Sequence, residues 1–446
     1  MDQSLLLALP DDALLAVLAF LPPRELFKCR VLCRRLRDLC LHADLWRRVR
    51  LPTCDPTLRA ALRLAPCLRE VLWYYLGATA PWAEDEDPEL SRSACVVARL
   101  KLYVNNMNEL RASAAVLKQS SLGGVKELVL TFFPNYCGAA TRWKTFQLVS
   151  AINQVNHLYS LQIKIFSKDA LLEPWFAVVG MVGVSSLKKL SYASPSYDFY
   201  LEYLLKTHAA TLEDVHLDLT HIPVSSLKLL LNLRTLSFET DSGDDLSELE
   251  NLPNLSSLKF GLNCTFSTGG LKLLRRAPRL RSVSVPCADP DPTAPLLALA
   301  ASPSALILET LHLDGLPSSS LLGHMAAALP QFPALRTLSM VISFQYKEVD
   351  LADFVRAVSP TTAPRLTMLA LQLTPPEGVC PQAWIHGPSI RDLLQRNPSL
   401  HLRALLLPCY YVNCSWCLWD LRETRQAVLG AHARQAGCPP DCYRWL

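Results

Sequence analysis

From about position 66 onward, one hydrophobic phrase recurs along the chain: aliphatic, two residues, aliphatic, one residue, aliphatic. Copies begin at Leu68, Val97, Val125, Leu158, Leu187, Leu212, Leu233, Leu255, Leu280, Leu308, Leu335, Leu366 and Leu402. The steps run from roughly 21 to 36 residues, a period that marks a stacked-repeat architecture. In five copies a proline stands two residues ahead of the first leucine: Pro66, Pro253, Pro278, Pro333 and Pro364. Proline stops one element just where the next must begin. Runs such as "GGLKLLRRA", "LLGHMAAAL" and "DFVRAV" predict a helix ahead of several strands. Strand, turn, helix, turn is then the unit, and it buries its apolar side only by stacking on its neighbours. The pattern predicts a parallel-stranded solenoid over residues 52–446.

The first 51 residues read differently. Leu14, Leu15, Val17, Leu18 and Leu21 recur at helical spacing behind Asp11 and Asp12, either of which caps the exposed amides of a first helix. Pro22 and Pro23 close that helix and open the next, and two short helices are expected to follow. A secretory leader needs positive charge before its apolar run, but the first cation is Arg24. A bilayer span needs about 20 apolar residues, and Ala13 to Leu21 is about half that. A helical unit this small has too little core to stand alone, so its apolar face calls for a partner.

Leu9, Pro10, Asp12, Leu14, Leu18, Leu21, Pro22, Leu26, Val31, Cys33, Leu45 and Trp46 fall in the order of the F-box pattern, and the stretch resembles an F-box. Leu36 stands where many members carry an aromatic. The repeats that follow have the period of leucine-rich repeats, so the whole chain resembles the F-box/leucine-rich-repeat substrate receptors of SCF-type cullin–RING ubiquitin ligases. The resemblance implies a small all-α F-box module at 1–51 and an α/β leucine-rich-repeat horseshoe at 52–446 with parallel strands on the concave face. It also implies docking onto a Skp-type adaptor, and through it onto cullin and RING subunits. The docking residues would be Leu9, Pro10, Leu14, Leu18, Leu21, Pro22, Leu26, Val31, Cys33 and Trp46. Repeats of this family often carry Asn or Cys three residues after the last leucine, and here Asn105 and Asn263 fit.

Strand side chains alternate, so the residues between the leucines face the concave surface. Gln162, Lys164, His216, Asp218, Glu239, Lys259, His312 and Asp314 are therefore candidates for holding a protein substrate. No phosphate loop, HExxH or GxSxG occurs, and the histidines have no motif-defined partner, so a non-enzymatic protein is expected. Cys414, Cys417, Cys438 and Cys442 form two close pairs, a weak match to a structural zinc site. Against zinc, "LWDLRETRQAVLGAHARQ" between them reads as a helix holding the pairs apart. In the alternative, a cap from about residue 409 uses Trp416, Trp419, Leu421 and Val428 to cover the last repeat.

Composition changes little. The chain has 446 residues, 50% of them hydrophobic, and a net charge of +4, which does not suit wrapping nucleic acid. Fifteen scattered cysteines suggest reduced thiols in the cytoplasm or nucleus. The expected function is substrate recognition for ubiquitination, without cofactor, nucleic acid or membrane. The alternative is a leucine-rich-repeat scaffold outside any ligase, with the first helices capping the solenoid.

Overall fold

The computed structural model describes residues 5–73, 89–104, 109–132, 142–166, 185–194, 199–219, 224–240, 245–263, 268–286, 291–314, 319–343, 348–374, 387–406 and 427–432. The chain forms two compact units, Met1–Glu213 and Asp214–Leu446.

The first unit opens with short helices: α1 (Asp11–Leu18), α2 (Pro23–Cys29), α3 (Arg34–Leu39) and α4 (Ala43–Trp46). Three helices follow the proline pair where two were expected. The extra break comes from side-chain caps that periodicity does not show: Cys33 Sγ accepts from the Leu36 amide at 3.4 Å, and His42 Nδ1 accepts from the Asp44 amide. Strand β1 (Arg50–Pro52) then pairs in parallel with β2 (Cys67–Trp73), with α5 (Leu58–Leu64) between them. The series continues through β3 (Val96–Val104), β4 (Glu127–Phe132), β5 (Ser160–Ile165) and β6 (Lys189–Ser194), every neighbouring pair parallel. Helices α6 (Glu109–Ser121) and α7 (Arg142–Asn153) follow β3 and β4, and α8 (Phe199–Thr207) follows β6.

The second unit repeats the scheme: β7 (Asp214–Leu219), β8 (Thr235–Thr240), β9 (Ser257–Asn263), β10 (Ser282–Pro286), β11 (Thr310–Asp314), β12 (Thr337–Ser343), β13 (Met368–Thr374) and β14 (His401–Leu406) pair in parallel in chain order. Among the helices between them are α9 (Val224–Leu227), α10 (Thr268–Arg276), α11 (Ala294–Ala300), α12 (Ser319–Ala328), α13 (Glu348–Ala357) and α14 (Pro388–Arg396). The three runs read as helices in the sequence lie within or overlap α10, α12 and α13.

The phrase works as its spacing requires. Its first leucine or valine is buried in each copy from Leu68 to Leu366, as are the two apolar residues that follow, for example Leu308, Leu311 and Leu313. The copy at Leu402 is the exception. Leu402 pairs with Leu369, the second residue of its phrase, and not with the first. The last repeat is one residue short at its entry, and buried Leu400 takes the first place.

Buried polar residues fix where strands begin. Gln119 of α6 is fully enclosed; its Oε1 accepts from the Val97 amide at 2.9 Å and its Nε2 donates to the Cys95 carbonyl at 3.0 Å. It satisfies a donor and an acceptor that would otherwise be orphaned in the core. Ser304 does the same for the entry to β10, accepting from the Leu280 amide and donating to the Ala277 carbonyl. Gly124 precedes β4 hard against β3: a Cβ there would lie 2.1 Å from Val96 Cγ1, so a larger residue requires Val96 to shift.

The last described element is a strand where the sequence pattern suggested a helix. β15 (Ala427–His432) pairs antiparallel with β14, Leu402 opposite Ala431. The open edge of β14 offers unpaired backbone groups, and filling that ladder outweighs the helical preference of an alanine- and leucine-rich stretch. Trp416, Trp419, Leu421, Asn105 and the four cysteines Cys414, Cys417, Cys438 and Cys442 lie outside the described residues. Among the described residues no helix is long and apolar enough to cross a membrane.

Candidate docking site

The helical module spends part of its apolar stock on its own core. Leu14, Leu18, Leu26, Leu36, Cys40, Leu45 and Trp46 are buried, with α1 packed on α3 and α4. Trp46 sits at the centre, 0% exposed; its ring lies 5.1 Å from that of Phe27 at 45°, and its Nε1 donates to the Cys40 carbonyl at 2.8 Å. Burial lifts the Cys40 thiol to about 11, with Cys29 and Cys33 adding to the rise and Arg30 opposing it, so it is a neutral packing group.

Asp11 does not cap α1; Pro10 occupies the cap position. The Asp11 carboxylate accepts from Arg35 Nε and Nη2 at 2.9 and 2.6 Å, while Arg35 Nη1 and Nη2 donate to the Leu7 and Leu9 carbonyls at 2.6 and 2.7 Å. One guanidinium from α3 thus fastens the segment leading into α1, using the forked geometry that lysine lacks.

What the core leaves out is apolar and exposed. Phe20 is 89% exposed in the turn after α1, and Val31 and Leu32 are 84% and 70% exposed in the turn after α2; Val17 on α1 is also exposed. Of the ten residues expected to dock, Leu9, Pro10, Pro22 and Val31 are exposed, and Leu21 and Cys33 are half-buried, Cys33 as the cap of α3. Leu14, Leu18, Leu26 and Trp46 lie in the core. Phe20 and Leu32 are exposed apolar residues outside the set expected to dock. Their signal is that each falls outside the apolar stripe of the adjoining helix, which is where a docking residue belongs and a core residue does not.

The outer face of the sheet, away from the buried leucines, carries the other candidates. In the second unit the ladder sets His216, Ser237, Lys259, Ser284 and His312 side by side on β7 to β11. Asp218 and Asp314 lie one step further along their strands, and Asp314 Oδ2 accepts from Ser284 Oγ at 2.7 Å. His312 is held below the usual histidine range, mainly by burial and further by Lys259, with Asp314 pulling the other way. Gln162 and Lys164 lie on β5 of the first unit, Lys164 exposed. The backbones of Glu239 and Asn263 are in β8 and β9, but their side chains lie outside the described residues.

The first unit adds an ion-pair network that the repeat pattern did not reveal. Glu70 on β2, its side chain 7% exposed, lies 3.4 Å from Arg99 Nη1 and 3.1 Å from Lys101 Nζ on β3; Glu127 on β4 pairs with Arg99 and Arg69. Glu70→Ala is expected to cost about 2 kcal/mol, less than the loss of a fully buried pair because both cations keep solvent contact. The check is chemical denaturation of the full chain; an unchanged midpoint would mean water replaces the carboxylate without loss. Among the described residues no cluster of His, Cys, Asp or Glu is arranged to hold a metal ion.

Comparison with known proteins agrees with the first module. Residues 6–52 match the F-box-like family. No curated protein matches the chain. Among solved structures, the leucine-rich repeat-containing protein LegL7 from Legionella pneumophila is similar at 14% identity over 67% of this chain and 90% of that one, with a TM-score of 0.34. The chain's own sequential parallel strands, each seated on buried leucines with helices between, carry the repeat assignment. This is an F-box-like module running directly into a leucine-rich-repeat fold.

Proposed function

We propose that the chain is the substrate-recognition subunit of an SCF-type ubiquitin ligase. The observation that supports this best is the division of labour within residues 6–52. A closed core is built on Trp46, while Phe20, Val31 and Leu32 are left in solvent with nothing of their own module to cover them. Exposed aromatic and aliphatic side chains of this kind anchor interfaces, with charged residues at the rim. The partner is a Skp-type adaptor, which brings cullin and RING subunits, and the strand face of the repeats away from the buried leucines holds a target protein. The chain contributes no reacting group. It raises the effective concentration of target lysines near a ubiquitin-charged conjugating enzyme. Such complexes work in the cytoplasm and nucleus.

A second reading, a scaffold using the module only as an end cap, draws on α4 packing against β2, where Cys67 Sγ donates to the Ala43 carbonyl at 3.7 Å. Co-purification separates the two. The full chain is expected to capture a Skp-type adaptor and cullin, and a chain lacking residues 1–51 to capture neither. Failure of the folded full chain to capture the adaptor would sink the ligase reading.

A further inference from the structure

Strands β1 to β6 of the first unit turn one set of side chains to the core and the alternate set outward. In register across that outward face stand Arg50, Glu70, Arg99, Glu127, Ser160 and Lys189, with Lys101 and Lys164 in the next two rows along the strands. Cations therefore outnumber carboxylates here by five to two, Arg50, Arg99, Lys101, Lys164 and Lys189 against Glu70 and Glu127. Arg69 reaches across to Glu127 as one more.

The two signs also lie at different depths. Glu70 is drawn in until its side chain is 7% exposed, while Arg99 and Lys101 that pair with it each keep 29%. Glu127 lies between Arg99 and Arg69, and is less exposed than either. Arg50 and Lys164 are exposed outright. A partner arriving at this face meets the cations first, with the carboxylates beneath them holding Arg99 in position. Leu72, Val129 and Tyr103, each half-buried, give the same face apolar ground between the charges.

We propose that this face holds an acidic segment of the target protein, whose carboxylates meet Arg50, Lys101 and Lys164 and whose apolar side chains rest on Leu72, Val129 and Tyr103. The proposal rests on the reading that the repeats hold a target, and adds the chemistry of what they hold. A peptide fits better than a nucleic acid, because Glu70 and Glu127 lie in the middle of the face, where an unbroken row of phosphates would be repelled. Six strands about 4.8 Å apart span about 24 Å, the reach of about seven extended residues.

Fluorescence anisotropy on the full chain tests this with a labelled peptide of about ten residues, glutamate alternating with leucine and serine. It is expected to bind roughly tenfold more tightly than its glutamine counterpart at 0.1 M salt, where screening acts over about 10 Å, and to lose that advantage at 1 M, where it acts over about 3 Å. Arg50→Gln with Lys164→Gln is expected to weaken binding roughly tenfold with the thermal midpoint unchanged, since both side chains are exposed. Lys272→Gln with Arg275→Gln removes the same charge from exposed positions of α10 in the second unit, and is expected to leave binding as it was. Equal binding of the two peptides, or no greater loss in the first variant than in the second, overturns the proposal. Single-stranded RNA binding as tightly as the acidic peptide overturns it too. So does peptide binding that appears only when the chain's own acidic run, Glu84 to Asp87, is neutralised, because the face then has a different occupant. Adaptor capture by the same preparation is scored separately: peptide binding without capture leaves an acid-binding scaffold and sinks the ligase reading, and capture without peptide binding does the reverse.

Discussion

Changing Phe20 and Val31 together to aspartate is expected to abolish the proposed capture of a Skp-type adaptor by the full chain, with the thermal transition left where it was. Both side chains are more than four-fifths exposed, so charge there meets water and not a core, and surface changes of this kind usually stay within about 0.5 kcal/mol. At an interface the same two positions behave differently. An apolar anchor in a dehydrated pocket contributes about 2 kcal/mol or more, and a buried unpaired carboxylate adds its desolvation cost. Two such losses weaken binding by over a hundredfold. Leu18 and Leu21 would be a poorer choice, because Leu18 is 5% exposed and aspartate there breaks the module itself. Adaptor capture by the folded Phe20→Asp, Val31→Asp chain at wild-type affinity would remove these residues from the interface.

Trp46→Ala is expected to end the proposed capture as well, by a different route. The indole is fully enclosed, stacks at a tilt on Phe27 and holds the Cys40 carbonyl. Its removal costs roughly 3–5 kcal/mol in cavity and transfer terms, and it strands a carbonyl in the core. About 40 residues of module have little reserve against such a loss. Hydrogen exchange should show lost protection across α1 to α4 while amides of β9 to β13 keep theirs. Full protection of the module together with lost capture would instead place Trp46 at the partner surface.

The repeat leucines were legible because each does one job: the residue that starts a strand is also the residue that fills the core, and spacing reports both. In the module one motif serves two ends. Leu14, Leu18, Leu26 and Trp46 follow the same pattern as Val31, yet they close the core while Val31 points to solvent; helical period alone cannot divide them. The extra break that makes three helices after the prolines was hidden for a related reason, since a cysteine and a histidine cap α3 and α4 where serine or aspartate gives the usual sign. Glu70 illustrates a third limit. Its local setting, "CLREVLW", reads as an ordinary solvent-facing acid, and only the register of three strands brings Arg99, Lys101 and Glu127 around it. The strand at Ala427–His432 was unreadable because its stability comes from an edge supplied by residues 401–406.

The join between module and repeats has a mechanical consequence. Val49 receives the amides of Arg69 and Glu70 at its carbonyl, Arg50 to Pro52 run in register with Glu70 to Leu72, and the Thr53 amide closes onto the Leu72 carbonyl. No slack linker separates the part that docks from the part where the sheet begins. On the proposed reading, reach is therefore set by angle and not by chain length. On that reading, a lysine on a target held by the first unit is modified or spared according to the angle fixed at this join, and inserting a few flexible residues after Val49 would blur that choice without touching either binding surface.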